Sequence, residues 1–419
     1  MFKFKSLYLF GYGLILSAIV GILLGLFYSL QSTLIDLFWQ KATFGGLLDA
    51  IMLVVVGLVI IISRHYFGPL PQNLGVIKAD LKQTGTANYR YVLLQMLISA
   101  VILVSGTSLG PEATLVSSTF LYSIWLADKQ RYVAAHFDDL RAQSIGMRLK
   151  VLATPHRYLL HYQQPTAPLT KVATYQKKAL ITTYFLNGTA WFSGVFILTG
   201  EPSLIIRLGQ SHWQGRDLYW FLPLVLGGYL LGKLWLAGMV GLRKIMQARL
   251  TNDQVRVLIG GLAIFLASLF FPHILFSGQH NFHLFTTIWQ DQSMLFLMSR
   301  SLLKLILLTI CLNTGWLGGD IFPVLFASTA QGMAISQLFP QVDSLFVIGL
   351  IAISMGSAIL EAPLVAGLIM VILFLPPNLF WVGIIATGIV LGLEKYRQHH
   401  QARREQQQSQ GARLHQSEA

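Results

Sequence analysis

A single cysteine, Cys311, lies inside an apolar run, which excludes a disulfide and any thiolate metal site. Charge is scarce as well: 11% of the residues are Asp, Glu, Lys or Arg, where a soluble domain carries roughly a quarter. Acids are scarcest, 17 against 30 Lys and Arg, and beyond Glu112 almost none falls within an apolar run, which argues against a cation carrier. No phosphate loop, nucleophile elbow or zinc-ligand spacing is present, so no enzyme activity and no cofactor is expected. His280 and His283 stand three apart with no third ligand in register, and a solvated loop is expected there, with no metal.

What is abundant is apolar. Hydrophobic residues make up 54% of the chain, in runs at 7–30, 46–62, 91–105, 113–127, 179–200, 219–241, 255–276, 294–312, 321–339, 345–360, 363–376 and 378–393. The chain therefore reads as all-α and polytopic, in a lipid bilayer, with no cleavage site after the first run. A full crossing takes about 20 apolar residues, so the shorter runs predict tilted, broken or re-entrant helices that meet inside the protein. Gly and Pro interrupt the pattern at Gly68-Pro69-Leu70-Pro71 and Gly106–Thr114, then again at Gly315–Pro323 and Glu361-Ala362-Pro363. Paired interruptions of this kind point to two inverted halves around an ion site near the midplane.

The formal net charge of +13 comes from blocks of Lys and Arg between the apolar runs, as membrane topology requires. Nucleic acid is not an expected partner. Residues 128–178 carry nine Lys or Arg against three Asp, with Pro155, Pro165 and Pro168, and read as a cytoplasmic insertion. The organisation expected is a membrane domain over 1–394, with halves about 1–200 and 219–394. A disordered tail over 395–419 follows, and both termini are cytoplasmic in the cell membrane. Lys177-Lys178 ahead of one long run and Arg243-Lys244 after the next put Glu201 on the outside. Arg300 and Lys304, four apart on one helix face, are expected either to reach the interface or to raise the potential near an anion path.

The sharpest local signal is Ser105-Gly-Thr-Ser-Leu-Gly-Pro-Glu-Ala-Thr114, a glycine-rich break followed by a carboxylate at the start of an apolar helix. A helix N-terminus presents unpaired N–H groups and positive potential, so it binds anions. Glu112 placed there occupies the anion site itself until protonation or rotation vacates it. A capping role is the plainer alternative, but a carboxylate in a membrane segment marks a functional site by default.

Gly110-Pro111-Glu112-Ala113-Thr114 resembles the Gly-(Lys/Arg)-Glu-Gly-Pro motif of the chloride channel/transporter superfamily, with both flanks of the Glu changed. Gly319-Asp320-Ile321-Phe322-Pro323 is similar to its Gly-x-Phe-x-Pro motif, with Ile321 in place of Phe. Glu361-Ala362-Pro363-Leu364 matches its late Ala-Pro-Leu segment. The resemblance implies a halide site lined by the backbone of Asp320 and Ile321 with Glu112 above it, and a homodimer with one path per subunit. It implies anion-site roles for Gly68, Pro69, Leu70, Gly110, Pro111, Ala113, Gly319 and Phe322 as well. Three features depart from it. Gly68 stands where the family has an anion-contacting Ser; Asp320 must point away from any anion; and no inner glutamate for a proton relay is visible, since 128–178 holds only Asp128, Asp138 and Asp139. Tyr396 is the one candidate near the family's pore tyrosine.

The function expected is transport of chloride or a similar small anion, gated by Glu112 and channel-like. Anion/proton exchange is the alternative. A non-transporting regulatory protein with a degenerate site is the third reading.

Overall fold

In a computed structural model, described for residues 2–39, 46–72, 74–162, 171–201, 206–278 and 289–417, all regular structure is helical. Inside a bilayer the backbone must satisfy its own hydrogen bonds, and helices do so within one segment. Among the described residues seven helices are long and apolar enough to cross. Shorter apolar helices at Tyr89–Val104, Ile321–Ser336, Ser344–Leu360 and Pro363–Phe374 are the broken elements anticipated from the short runs. His280, His283, Pro165 and Pro168 lie outside the described residues.

The helices are α1 (Phe2–Trp39), α2 (Gly46–Phe67), α3 (Leu74–Thr84), α4 (Val92–Val104), α5 (Glu112–Ala135), α6 (Phe137–Ala142), α7 (Ile145–Ala153) and α8 (Lys171–Thr199). The later ones are α9 (Phe221–Arg249), α10 (Asp253–Phe270), α11 (Met294–Asn313), α12 (Ile321–Ser336), α13 (Ser344–Leu360), α14 (Pro363–Ile369) and α15 (Phe380–Ser417). They form two compact units: residues 1–106, 111–203 and 315–319, and residues 107–110, 204–314 and 320–419.

In the first unit α1 and α8 pack along their lengths, because glycines let the backbones approach. A Cβ on Gly21 would stand 2.1 Å from the Gly188 carbonyl oxygen, and one on Gly25 would stand 2.8 Å from Val195 Cβ. In the second unit α13 is buried almost all round, as its uniformly apolar sequence requires. Helix α9 lies on it through Gly228 and Gly232, where a Cβ at Gly232 would meet the Met355 carbonyl oxygen at 2.6 Å.

Helix α5 runs eight residues past the apolar stretch ending at 127, so the polar insertion begins as a helix. Its buried charges are individually satisfied. Asp128 accepts from Tyr89 Oη at 3.0 Å and from Arg131, with His161 Nδ1 at 2.8 Å. Lys129 donates to the carbonyls of Val151 and Arg157, both at 2.9 Å. Trp125 Nε1 donates to the Pro155 carbonyl, and Tyr12 Oη on α1 to that of Leu152. Residues 128–162 therefore fold back onto α5 and α1 as a small packed element.

The stretch after Leu393 differs from the expected irregular tail: α15 continues to Ser417. Gln, Arg and Glu are good helix formers, and a helix already nucleated upstream propagates at little cost.

Gly232→Leu should destabilise the second unit by about 1–3 kcal/mol or more, read as a lower Tm in detergent. Burial pushes the Lys129 ammonium down from 10.5 to about 8. The unfolded insertion then binds more protons than the folded one between those values, so its stability rises with pH across that window. Proteolysis within 128–162 should slow from pH 8 toward 10. Lys129→Met should abolish that pH dependence while speeding cleavage, by leaving two carbonyls unsatisfied.

Candidate anion site

Helix α4 ends at Val104, and the chain turns through Gly106 at φ +85°, a conformation that favours glycine. It re-enters a helix at Pro111, the N-cap of α5, whose fixed φ suits that position and whose side chain makes no cap bond. Glu112 is thereby the first residue of α5, next to its orphan amides and positive dipole end. Residues 102–112 are all buried, and Glu112 itself is only 8% exposed.

Its carboxyl group lies directly on Gly319. A Cβ built there would sit 2.2 Å from Glu112 Cδ and 2.4 Å from Oε1, so no other residue fits beneath the carboxylate as it stands. Gly319 precedes by two residues the start of α12, at Ile321. The sequence singled out both residues separately; tertiary structure sets them against each other.

A buried polar lattice braces the first turns of α5. Ser99 Oγ and Thr114 Oγ1 are hydrogen-bonded at 2.5 Å. Gln95 Nε2 donates to Ser118 Oγ at 2.9 Å and to Ser117 Oγ at 3.3 Å, while its Oε1 accepts the Gln72 amide at 3.3 Å. Gln95 thus ties the Gly68–Pro71 segment to α5. Sequence reasoning passed over it, although an amide within the run 91–105 was a visible signal. Tyr28 was also missed: buried on α1, it lies within electrostatic reach of both Glu112 and Glu201. Glu201 is half-buried and accepts from Ser29 Oγ at 3.1 Å.

Gly68 adopts φ +77°, where a serine would be strained, so the missing hydroxyl goes with the backbone conformation. Leu70 is buried and Pro69 exposed. Gly110 and Pro111 are buried on the approach to α5, with Ala113 partly so. Asp320 is the N-cap residue of α12, yet its side chain makes no cap bond and is exposed. Its carboxylate is instead hydrogen-bonded by its own backbone amide at the start of the helix. Ile321 is partly buried and Phe322 is buried, with its ring on Phe374.

Lys304 neither reaches an interface nor stands free: it is fully buried and donates to the carbonyls of Ile274, Leu275 and Phe276. Arg300 stacks on the rings of Phe271 and Phe296. Tyr396 is 67% exposed and packs on His400, among charged residues. Glu394, the last residue before the tail, is an acid that sequence reasoning overlooked. Only 2% exposed, it accepts from Tyr229 at 2.8 Å and pairs with Lys233 at 3.0 Å and with Arg397. Lys233 on α9 and Glu361 at the end of α13 join this cluster, which braces three helices.

The family model for the voltage gated chloride channel matches residues 170–392, more than half of the chain. Glu112 precedes that range. No curated protein matches the chain. Among solved structures, a CLC-type fluoride/proton antiporter shares 18% identity at a TM-score of 0.62, over 90% of this chain and 94% of that one. A slow cyanobacterial Cl-/H+ antiporter shares 16% at 0.64, with the same coverage. A eukaryotic CLC transporter shares 15% at 0.54, over 92% of this chain and 72% of that one. At these identities the likeness is one of fold.

Gln95→Leu should leave the Ser117 and Ser118 hydroxyls and the Gln72 amide short of a partner. The expected cost is about 1–3 kcal/mol. Faster hydrogen exchange at 68–72 and in the first turns of α5 would register it.

Proposed function

Because the chain belongs to the voltage-gated chloride channel family, as a multi-pass membrane protein, we propose that it exchanges a small anion for protons with Glu112 as gate and proton carrier. The observation that carries this reading is the buried Glu112 carboxylate, seated at the N-terminus of α5 against Gly319. An ionised carboxylate there mimics a bound anion, satisfied by the helix end. Protonation removes the charge that holds it, the side chain swings out, and a chloride or similar anion takes its place. Release of the proton draws the carboxylate back and expels the anion. One group thus alternates between proton and anion, which is what coupling requires.

Two of the solved structures sharing the fold are anion/proton antiporters, one for fluoride and one for chloride, which supports exchange over simple conduction. Gly68 offers no hydroxyl for chloride, so both anions are candidate substrates. Channel-like conduction is the second reading. Asp128, a buried acid of the insertion, is engaged by Tyr89, Arg131 and His161, which leaves no evident inner relay there. We place the protein in the cell membrane as a homodimer with both termini cytoplasmic and one path per subunit, and assign it no enzymatic role.

Proteoliposomes holding wild type or Glu112→Gln, loaded with chloride or fluoride and followed by anion and pH electrodes, separate the readings. Exchange predicts anion efflux with proton uptake in wild type, and efflux without proton uptake in the variant. Uncoupled efflux in both would make it a channel. Absence of flux for either anion would overturn transport and favour a regulatory role.

Gly319→Ala drives a methyl group into the carboxylate position. It should loosen the gate, moving proton coupling toward that of Glu112→Gln in the same assay.

A further inference from the structure

Along the first unit runs a half-open cleft of about 1530 Å³, walled by α1, α5 and α8 with Leu81 and Gly85 at one edge. Its volume exceeds the ~300–1,000 Å³ typical of small-molecule sites. On α8 its lining extends from Lys177 to Phe192. That is ~22 Å at 1.5 Å per residue, beyond the ~15 Å half-thickness of a hydrocarbon core. Two of the walls, α1 and α8, are helices long and apolar enough to cross a membrane.

The cleft is apolar along its length and basic at one end. Arg131 and Lys177 both line it, and both lie against the ring of Tyr162, at 5.2 and 5.9 Å from its centroid. Lys78 stands over Phe120, another lining residue, at 5.5 Å. Among the described residues no Asp or Glu lines the cleft. Asp128, next in the chain to the lining residue Ala127, is fully buried and shared among Tyr89, Arg131 and His161. Lys177 is exposed.

We propose that this cleft holds an anionic phospholipid of the leaflet on the Lys177 side, its phosphate between Arg131 and Lys177 and its acyl chains along α1, α5 and α8. A basic mouth over an apolar slot between membrane helices is the chemistry that recognises acidic headgroups. Water cannot fill so apolar a slot at little cost, whereas an acyl chain buries against it as it would in the bilayer.

Native mass spectrometry of the full chain in detergent, titrated with phosphatidylglycerol or with phosphatidylcholine of the same acyl chains, tests the proposal. Wild type should retain phosphatidylglycerol in preference. Lys177→Gln should weaken that binding about fivefold at low salt. Thr189→Trp, placed on the exposed wall of α8, should abolish it by filling the slot, and inorganic phosphate should not compete. Equal retention of the two lipids by wild type, or phosphatidylglycerol binding unchanged in both variants, would overturn it. So would efficient cross-linking of Thr189→Cys between two copies in membranes, since the cleft would then be covered by a second protein. The native Cys311 is fully buried and silent in that assay.

Discussion

A carboxylate taken out of water at a helix end is the constraint around which the first unit is built. Burial penalises the charge of Glu112, and that penalty is tolerable only where opposing dipoles are already oriented. The N-terminus of α5 supplies them at the break that precedes Glu112. Gly106 makes the turn that ends one helix and aims the next, and Gly319 leaves the room in which the carboxyl group rests. With a larger side chain at 319 the carboxylate could not lie where it does.

Such a site works only if the helix carrying it is held still. The hydroxyls of Ser99, Thr114, Ser117 and Ser118, together with the Gln95 amide, form hydrogen bonds in surroundings where an unsatisfied partner is costly. Each bond fixes a rotation of α5. The Gly21 and Gly25 contacts bring α8 against α1, and α1 in turn packs on α5. Rigid packing around one titratable group is what lets a single protonation change matter, because the scaffold cannot relax to absorb it.

Other buried charges follow the same rule with a different outcome. Asp128, Lys129, Lys304 and Glu394 are each at most 2% exposed, and each is met by named donors or acceptors. They hold loops and helices together. The contrast with Glu112 is that its place is the mouth of a helix, where an anion from solution is a chemically equivalent occupant.

Much of this was legible in the chain before folding. Hydropathy alone determined an all-helical, polytopic membrane protein with helices too short to cross, because a bilayer permits few other backbones. The glycine-rich break before Glu112 marked a carboxylate at a helix start for a local reason: caps and turns are written in adjacent residues. The seat of Glu112 on Gly319, the bracing role of Gln95 and the carbonyl clamp on Lys304 were decided by tertiary structure. Contacts between residues far apart in the chain leave no periodic trace, and an amide or ammonium inside an apolar run does not announce which distant group will satisfy it. The sequence by itself determined what each segment had to be in a bilayer and where a helix would start on a carboxylate. Packing decided which buried polar groups met, since that depends on distances across helices that no local pattern encodes.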